Sequence, residues 1–216
     1  MILIQKKQEP NSLMEYKKQK NAYYDGCNKQ DIRKNLLEEQ GHLCAYCMRR
    51  IHIDEMKIEH WCPQEKLSDA SGLDYRNMLG VCLGEVKGQT GKEHTCDVRK
   101  ANQRIVASPL EESTISSIFY NSKNGEIHST NSRIENDLVH TLNLNSKVQN
   151  LPLNRKRKID EVIMELSKRS SREGTWSKSK LENFVKKYSQ LDEEGCKAEY
   201  LGIITWYFNR KLKKSL

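Results

Sequence analysis

The sequence predicts an α+β fold, in which a short cysteine-rich β segment lies between an N-terminal helix and a C-terminal helical region. Three observations predict it: five of the 7 cysteines fall between positions 44 and 96, a capped helix pattern precedes them, and three apolar stripes follow position 151. We therefore expect four regions: an N-terminal helical segment (1–43), a cysteine-rich core (44–103), a hairpin and connecting segment (104–150) and a basic helical region (151–216).

The N-terminal segment carries the signals of one short helix. Asn28 is suited to cap its first turn, and Gly41 is suited to end it. Between them, Ile32, Leu36 and Leu37 form an apolar stripe with helical spacing. We expect this helix to lead directly into the first cysteines.

Two hairpins are predicted in the middle of the chain. Short β-prone pieces on either side of Asp54-Glu55 predict one hairpin in the cysteine-rich core. Asn124-Gly125 lies between two further β-prone pieces, and this dipeptide is a strong local signal for a hairpin. The second signal is the stronger one.

Apolar residues recur at helical spacing three times in the last region, the second time behind a Ser177 cap. The three stripes are Ile159, Val162, Ile163 and Leu166; Leu181, Phe184, Val185 and Tyr188; and Leu201, Ile204, Tyr207 and Phe208. We expect three packed helices. The run Arg155-Lys156-Arg157-Lys158 at the start of the first is expected to be solvated or to face phosphate.

The charge of the chain favours a polyanionic partner. Lys and Arg number 37 and Asp and Glu 29, a net charge of +8. From position 151 onward we count 16 basic and 9 acidic residues, which suits contacts with phosphates, although a solvated helical surface explains the excess equally well. No apolar run approaches the roughly 18 residues of a membrane span, and MILI is too short for a signal-peptide core, so we expect a cytoplasmic protein without membrane contact.

Cysteines in a chain without a secretory signal favour metal binding over disulfides. A Cys-x-x-Cys pair can hold one Zn²⁺ through a tight turn, and two later cysteines can complete a tetrahedral structural site. His94 could replace Cys96 as the fourth ligand, and Cys62 is a weaker competitor, so the ligand set stays open at that position. The expected zinc ligands are Cys44, Cys47, Cys82 and Cys96.

Candidate catalytic groups lie between and just after these cysteines. His60 has a side chain whose ordinary pKa lets it take a proton from water near pH 7. Glu59 and Asp97 offer the carboxylate oxygens that Mg²⁺ or Mn²⁺ prefers. Arg99 and Lys100 follow within one helical turn and are expected to meet flanking phosphates. Together these groups would suit phosphodiester hydrolysis.

The order of these motifs resembles the HNH nuclease family, whose core is a ββα-metal fold with a zinc knuckle. The resemblance covers about 60 residues and departs from the family in having Glu at position 59, where Asp is frequent, and in a long insertion over 83–95. The matching elements, in chain order, are Cys44/Cys47, Glu59-His60…Pro63, Asn77, Cys82 and Cys96-Asp97…Lys100.

The resemblance implies a role for each matching residue. His60 corresponds to the general base that activates water, and Asn77 to the residue that holds the loop orienting the base. Glu59 and Asp97 correspond to ligands of a catalytic divalent metal, Mg²⁺ or Mn²⁺. The four cysteines correspond to a separate structural zinc site, so region 44–103 is expected to be an HNH nuclease core.

A narrower resemblance includes the flanking segments 32–47 and Leu142-Asn143-Leu144-Asn145. These look like the retron-associated HNH proteins and the nuclease subunit of the Septu antiphage system. That likeness implies a DNA endonuclease that works beside an ABC-type ATPase subunit in bacterial defence. Two other readings stay open: a non-catalytic zinc-ribbon adaptor that binds nucleic acid or a partner, and a toxin that cleaves RNA or tRNA.

Overall fold

The computed structural model describes residues 1–66, 68–86, 88, 91–168 and 176–214, and their architecture is α+β, as the sequence predicts. Two separate two-stranded antiparallel sheets lie among helices, and one cluster of buried apolar residues joins them. In chain order the elements are α1 Asn11–Tyr16, α2 Lys29–Gln40, β1 Met56–His60, α3 Asp69–Gly72, β2 Met78–Cys82, α4 Cys96–Lys100, α5 Glu112–Ser117, β3 Ile118–Tyr120, β4 Ile127–Ser129, α6 Ser132–Asn136, α7 Leu151–Lys168, α8 Lys178–Ser189 and α9 Leu201–Lys214.

Helix α2 confirms the predicted capping signals. The Asn28 side chain accepts hydrogen bonds from the backbone N–H groups of Gln30 and Asp31, and Gly41 ends the helix in the left-handed conformation. Ile32 and Leu36 are completely buried. The helix packs on β1 and β2 and so supports the sheet that carries the candidate site.

The first sheet pairs β1 with β2, and the two strands are separated in the chain by α3 and its flanking segments rather than by a tight turn. The hairpin predicted around Asp54-Glu55 is wrong, because Ile53–Glu55 forms a short 3₁₀ turn and β1 begins only after it. The register sets His60 opposite Met78, and helix α4 packs on β2. This arrangement brings residues from both strands and from α4 together.

The second sheet confirms the hairpin predicted at Asn124-Gly125. β3 and β4 pair antiparallel, with Tyr120 opposite Ile127. Gly125 adopts a φ of 77°, and a Cβ at this position would lie 2.0 Å from the carbonyl oxygen of Pro152. The turn therefore packs directly on the start of α7.

The three predicted helices of the last region are present as α7, α8 and α9, and Ser177 caps α8. The expectation for the basic run is wrong at Arg155, whose side chain is completely buried. Its Nε donates to the Gly125 carbonyl at 2.6 Å, and its Nη2 donates to the Leu144 carbonyl at 2.8 Å. No helix in the described part of the chain has the length and apolar character needed to cross a membrane.

Candidate active site and metal centre

Four cysteine thiols form a compact buried group. Their Sγ atoms all lie within 4.8 Å of one another, with 3.8 Å between Cys44 and Cys96 and 3.8 Å between Cys47 and Cys82. Four sulfurs at the usual zinc–sulfur distance of about 2.3 Å from one tetrahedral ion are about 3.8 Å apart. The side chains therefore fit a tetrahedral Zn²⁺ without rearrangement.

Three separate elements supply these thiols. The turn after α2 contributes Cys44 and Cys47, and it is closed by backbone hydrogen bonds from Cys44 to Arg49 and from Met48 to Cys44. Cys82 ends β2 and Cys96 begins α4. A metal bound here would tie α2, the β1–β2 sheet and α4 together.

The fourth position of this group belongs to Cys96 and not to His94. The Nδ1 atom of His94 accepts a hydrogen bond from the backbone N–H of Val86 at 3.2 Å. Among the described residues, the four cysteines are the one group of three or more His, Cys, Asp or Glu side chains placed to share an ion, so Cys62 is also outside the group. The sequence left this position open.

Hydrogen bonding among the four thiols favours a thiolate at Cys47 and the protonated form at Cys82 and Cys96, because Cys44 and Cys47 raise the pKa of both well above its ordinary value. Hydrogen bonds from the other three thiols, Cys44 first, lower the pKa of Cys47 well below its ordinary value. Arg49 is partly buried beside the cluster; burial opposes its charge, yet the Cys47 and Cys82 sulfurs raise the pKa of its guanidinium overall. Zinc binds the thiolate form of cysteine, so a metal bound here would displace the protons that Cys82 and Cys96 hold.

Glu59 on β1 is buried and makes polar contacts with two side chains. Its Oε1 atom accepts a hydrogen bond from the Tyr46 hydroxyl at 3.0 Å and lies 2.6 Å from the Lys100 ammonium. Burial, and after it the hydrogen bond and charge of Asp97, raise the pKa of Glu59 to about 8, while Lys100 opposes this shift. Two carboxyl groups and one ammonium therefore share this space, and one proton held by the carboxyl pair makes the group neutral.

Asp97 completes the carboxyl pair from the first turn of α4. Its side chain is half-buried and hydrogen bonds to that of Glu59. Two adjacent carboxyl groups are a donor set of hard oxygens, which suits Mg²⁺ or Mn²⁺ better than a softer ion. The residues present fit a catalytic divalent cation, which would replace the shared proton.

His60 ends β1 and is buried next to this pair. Its Nε2 atom lies 2.9 Å from the carbonyl oxygen of Gly72, which can only accept, so Nε2 carries the hydrogen and Nδ1 carries the lone pair. The ring of Tyr24 packs against the imidazole edge to face, with 4.5 Å between ring centroids. Burial lowers the pKa of His60, and the imidazole is therefore a neutral base at pH 7.

Asn77 holds the loop that follows His60. Its Nδ2 donates to the Cys62 carbonyl at 3.0 Å, and its Oδ1 accepts from the Cys62 N–H at 2.8 Å. The backbone N–H of Trp61 donates to the Asn77 carbonyl at 2.9 Å. This amide therefore fixes the path of the chain beyond β1.

Lys100 and Arg99, which were expected to meet phosphates, both make contacts within the protein. Lys100 is completely buried, and its ammonium binds Glu59 and the His60 carbonyl, so it cannot reach a phosphate at the surface. Arg99 is half-buried and donates to the carbonyl oxygens of His140 and Gly91, both at 3.3 Å. The expectation is wrong for Lys100, because Glu59 binds the ammonium group of Lys100 inside the fold.

Sequence reasoning missed two tyrosines of the site. Tyr46 lies inside the Cys-x-x-Cys turn and donates to Glu59, and Tyr24 packs on His60. The only signal for Tyr46 is its position between two expected metal ligands. Tyr24 precedes α2 and has no local signal, because its contact with His60 depends on the tertiary fold.

Comparison with known proteins gives one informative likeness. A segment of 87 residues, 39% of this chain, is 30% identical to the "Retron Vc95 putative HNH endonuclease" of Vibrio cholerae serotype O1 biovar El Tor. The match spans 40% of that relative's length. No protein-family model matches the chain. The likeness supports the HNH endonuclease family for the matched part and suggests a nuclease.

Proposed function

We propose that this protein is a metal-dependent endonuclease of the HNH type that hydrolyses phosphodiester bonds in DNA. The observation that carries the proposal is that Glu59, which pairs with Asp97, and His60, whose Nδ1 is unprotonated, are consecutive at the end of β1, and that the charge of Asp97 acts on the pKa of both. The four-cysteine cluster draws two of its thiols from the same sheet and from α4. In this proposal β1, β2 and α4 are the ββα-metal core. The cysteine cluster is its structural zinc knuckle.

Each residue of the site has a defined task in such a reaction. His60 accepts a proton from water at Nδ1, while its Nε2–H bond to Gly72 fixes the orientation of the ring. Asn77 holds the loop after His60, and Tyr46 and Lys100 hold the Glu59 carboxyl group. Glu59 and Asp97 would hold Mg²⁺ or Mn²⁺. When bound, that cation neutralises charge that develops on the phosphate.

The proposed substrate and assembly rest on charge and likeness. A net charge of +8 favours a polyanion such as DNA. The relative is named as a retron protein, and the flanking segments resemble the nuclease subunit of the Septu system. We therefore extend the proposal to an effector subunit of a two-component antiphage complex with an ABC-type ATPase.

Cleavage of plasmid DNA and of RNA in Mg²⁺ or Mn²⁺ tests the proposed activity. We expect DNA cleavage by the wild type and a loss of about 100-fold or more in His60→Ala, since a general base contributes on this scale. His52→Ala is the matched control, because this histidine is exposed and lies outside the site. Equal cleavage by wild type and His60→Ala would contradict the proposal. Nucleic-acid binding without any cleavage would favour the zinc-ribbon adaptor, and cleavage of RNA alone would favour the toxin.

Co-purification tests the proposed partner. The tagged protein is expressed together with the proposed ABC-type ATPase subunit, and we expect the two to elute together and DNA cleavage to change when ATP is added. A protein that elutes alone, with the same activity in the presence and absence of the ATPase, would overturn the partner but leave the nuclease proposal intact.

A further inference from the structure

A cleft of about 500 Å³ opens directly beside His60. Tyr24 and Gly72 belong to its wall, and these are the two residues that contact the imidazole, through the ring and the carbonyl oxygen respectively. Its volume lies within the ordinary range of small-ligand pockets. A ligand in this cleft therefore lies next to the imidazole of His60, the proposed general base.

The charges of the cleft exclude a phosphate as its occupant. Asp25 and Glu65 are both in its lining, and no lysine or arginine is among the lining residues that the structure describes. Lys29 pairs with Asp25 at 2.9 Å and balances its charge, so Glu65 leaves the lining with a net negative charge, which repels a phosphodiester and accepts hydrogen bonds from amino groups. Cytosine, adenine and guanine carry such amino groups and thymine does not.

The aromatic wall suits a flat ring. Tyr23 is 52% exposed, whereas Tyr24 is held between the edge of His60 and the ammonium of Lys29, 4.6 Å from its ring centroid. Tyr23 is thus the aromatic face that a base can cover. Amide groups of Gln64 and Asn102 add donors and acceptors around the opening, with Asn102 donating to Glu65.

We propose that this cleft binds an unpaired nucleobase next to the bond that is cut, with Tyr23 as its stacking surface. The site would then select single-stranded or locally opened DNA over intact duplex, because a base inside a duplex cannot enter a side pocket without leaving the stack. This inference rests on the proposed function and adds the substrate class to it. Base–aromatic stacking of this kind is tolerant of sequence.

Binding of a fluorescein-labelled single-stranded oligonucleotide to the whole 216-residue chain tests the inference without any cleavage step. Measurements in buffer free of Mg²⁺ and Mn²⁺ compare wild type, Tyr23→Ala and Tyr23→Phe. We expect Tyr23→Ala to weaken single-strand binding about tenfold and Tyr23→Phe to bind like wild type, since the ring alone supplies the stacking. Phe119→Ala removes an exposed aromatic ring outside the cleft and should have no effect.

The outcomes separate this inference from the nuclease proposal. Tyr23→Ala that binds single-stranded DNA with wild-type affinity overturns the pocket. An equal loss of affinity for single strand and blunt duplex, in a variant that melts like wild type, also overturns it. Cleavage by wild type with unchanged activity in Tyr23→Ala also overturns the pocket but keeps the nuclease. Tyr23-dependent binding without cleavage supports the pocket and overturns the nuclease.

Base preference provides a second measurement. We expect tighter binding of oligo(dC) than of oligo(dT) to wild type, and a smaller difference in Glu65→Gln, because an amide oxygen is a weaker acceptor than a carboxylate. Asp25→Asn is a less sensitive variant, since Lys29 already pairs with Asp25 at 2.9 Å. Equal affinity for both oligonucleotides would overturn the role of the cleft carboxylates.

Discussion

The ammonium of Lys100 lies 2.6 Å from the Glu59 carboxylate, and both side chains are buried, with 1% and 5% of their surface exposed. Lys100 comes from the last turn of α4, and Glu59 comes from β1. This ion pair therefore joins the two elements that carry the carboxyl pair. It also places an ammonium group beside the proposed metal ligands.

In buffer free of Mg²⁺ and Mn²⁺, with zinc kept, we expect Lys100→Met to destabilise the protein by about 3 kcal/mol, because it leaves a buried carboxylate without its cation. Urea unfolding followed by circular dichroism measures the free energy of unfolding. Lys92→Met is the matched control, since Lys92 is exposed, and it should cost about 0.5 kcal/mol or less. Similar losses in both variants would show that the pair has no special role in stability.

The raised pKa of Glu59 makes the stability of the protein depend on pH when neither Mg²⁺ nor Mn²⁺ is bound at the carboxyl pair. Its value of about 8 in the folded protein exceeds the ordinary value of 4.5, so the folded state holds a proton that the unfolded state has released. This contribution is complete below about pH 4.5 and is lost as the pH rises through 8. We expect the free energy of unfolding to fall by about 1.4 kcal/mol per pH unit within this window.

Glu59→Gln provides the control for this pH dependence, because glutamine cannot titrate. Urea unfolding at a series of pH values from 5 to 9, in buffer without divalent cations, should give a flatter profile for the variant than for wild type. Parallel profiles for the two proteins would assign the pH dependence to other groups.

Local signals in the sequence were sufficient for the elements that depend on near neighbours. The caps of α2 at Asn28 and Gly41 and the turn at Asn124-Gly125 act over a few residues, and they are confirmed. The cysteine spacing predicted a four-thiol group because a Cys-x-x-Cys turn is itself a local structure. The choice of Cys96 over His94 needed the tertiary fold.

Distant pairing and buried charge could not be predicted in the same way. β1 pairs with Met78–Cys82, and its hydrophobic pattern contains no information about which distant strand lies beside it. Lys100 and Arg155 have the sequence context of surface residues, yet both are completely buried. Each is held by acceptors from other parts of the chain, namely Glu59 for Lys100 and the Leu144 carbonyl for Arg155.

The cysteine group predicts zinc-dependent stability. We expect about one zinc per chain in wild type, by elemental analysis, and loss of zinc with a large drop in melting temperature in Cys47→Ser, because structural zinc binding contributes directly to folding. Cys62→Ser is the matched control, since Cys62 lies outside the four-thiol group, and it should keep its zinc. Wild-type protein without zinc, or equal zinc loss in both variants, would contradict a metal centre at the four cysteines.

The contacts of Arg155 predict that Arg155 contributes much more to the stability of the fold than Arg157 does. Its guanidinium donates to the carbonyls of Gly125 and Leu144 and to the side chain of Asn145, so one residue joins the β3–β4 turn and the segment before α7. Lysine has a single ammonium that cannot reach three separated acceptors. We expect Arg155→Lys to lower the free energy of unfolding by about 3 kcal/mol, as measured by urea unfolding.

Arg157→Lys is the control for that substitution, because Arg157 belongs to the same basic run and the same helix but is exposed. A cost of about 0.5 kcal/mol or less is expected there. The two variants keep the same charge and differ only in burial and hydrogen bonding, so the difference between them measures what the guanidinium geometry contributes inside the fold. Equal stability of the two variants would mean that the acceptors around Arg155 are satisfied by lysine or by water, and that the turn does not depend on this side chain.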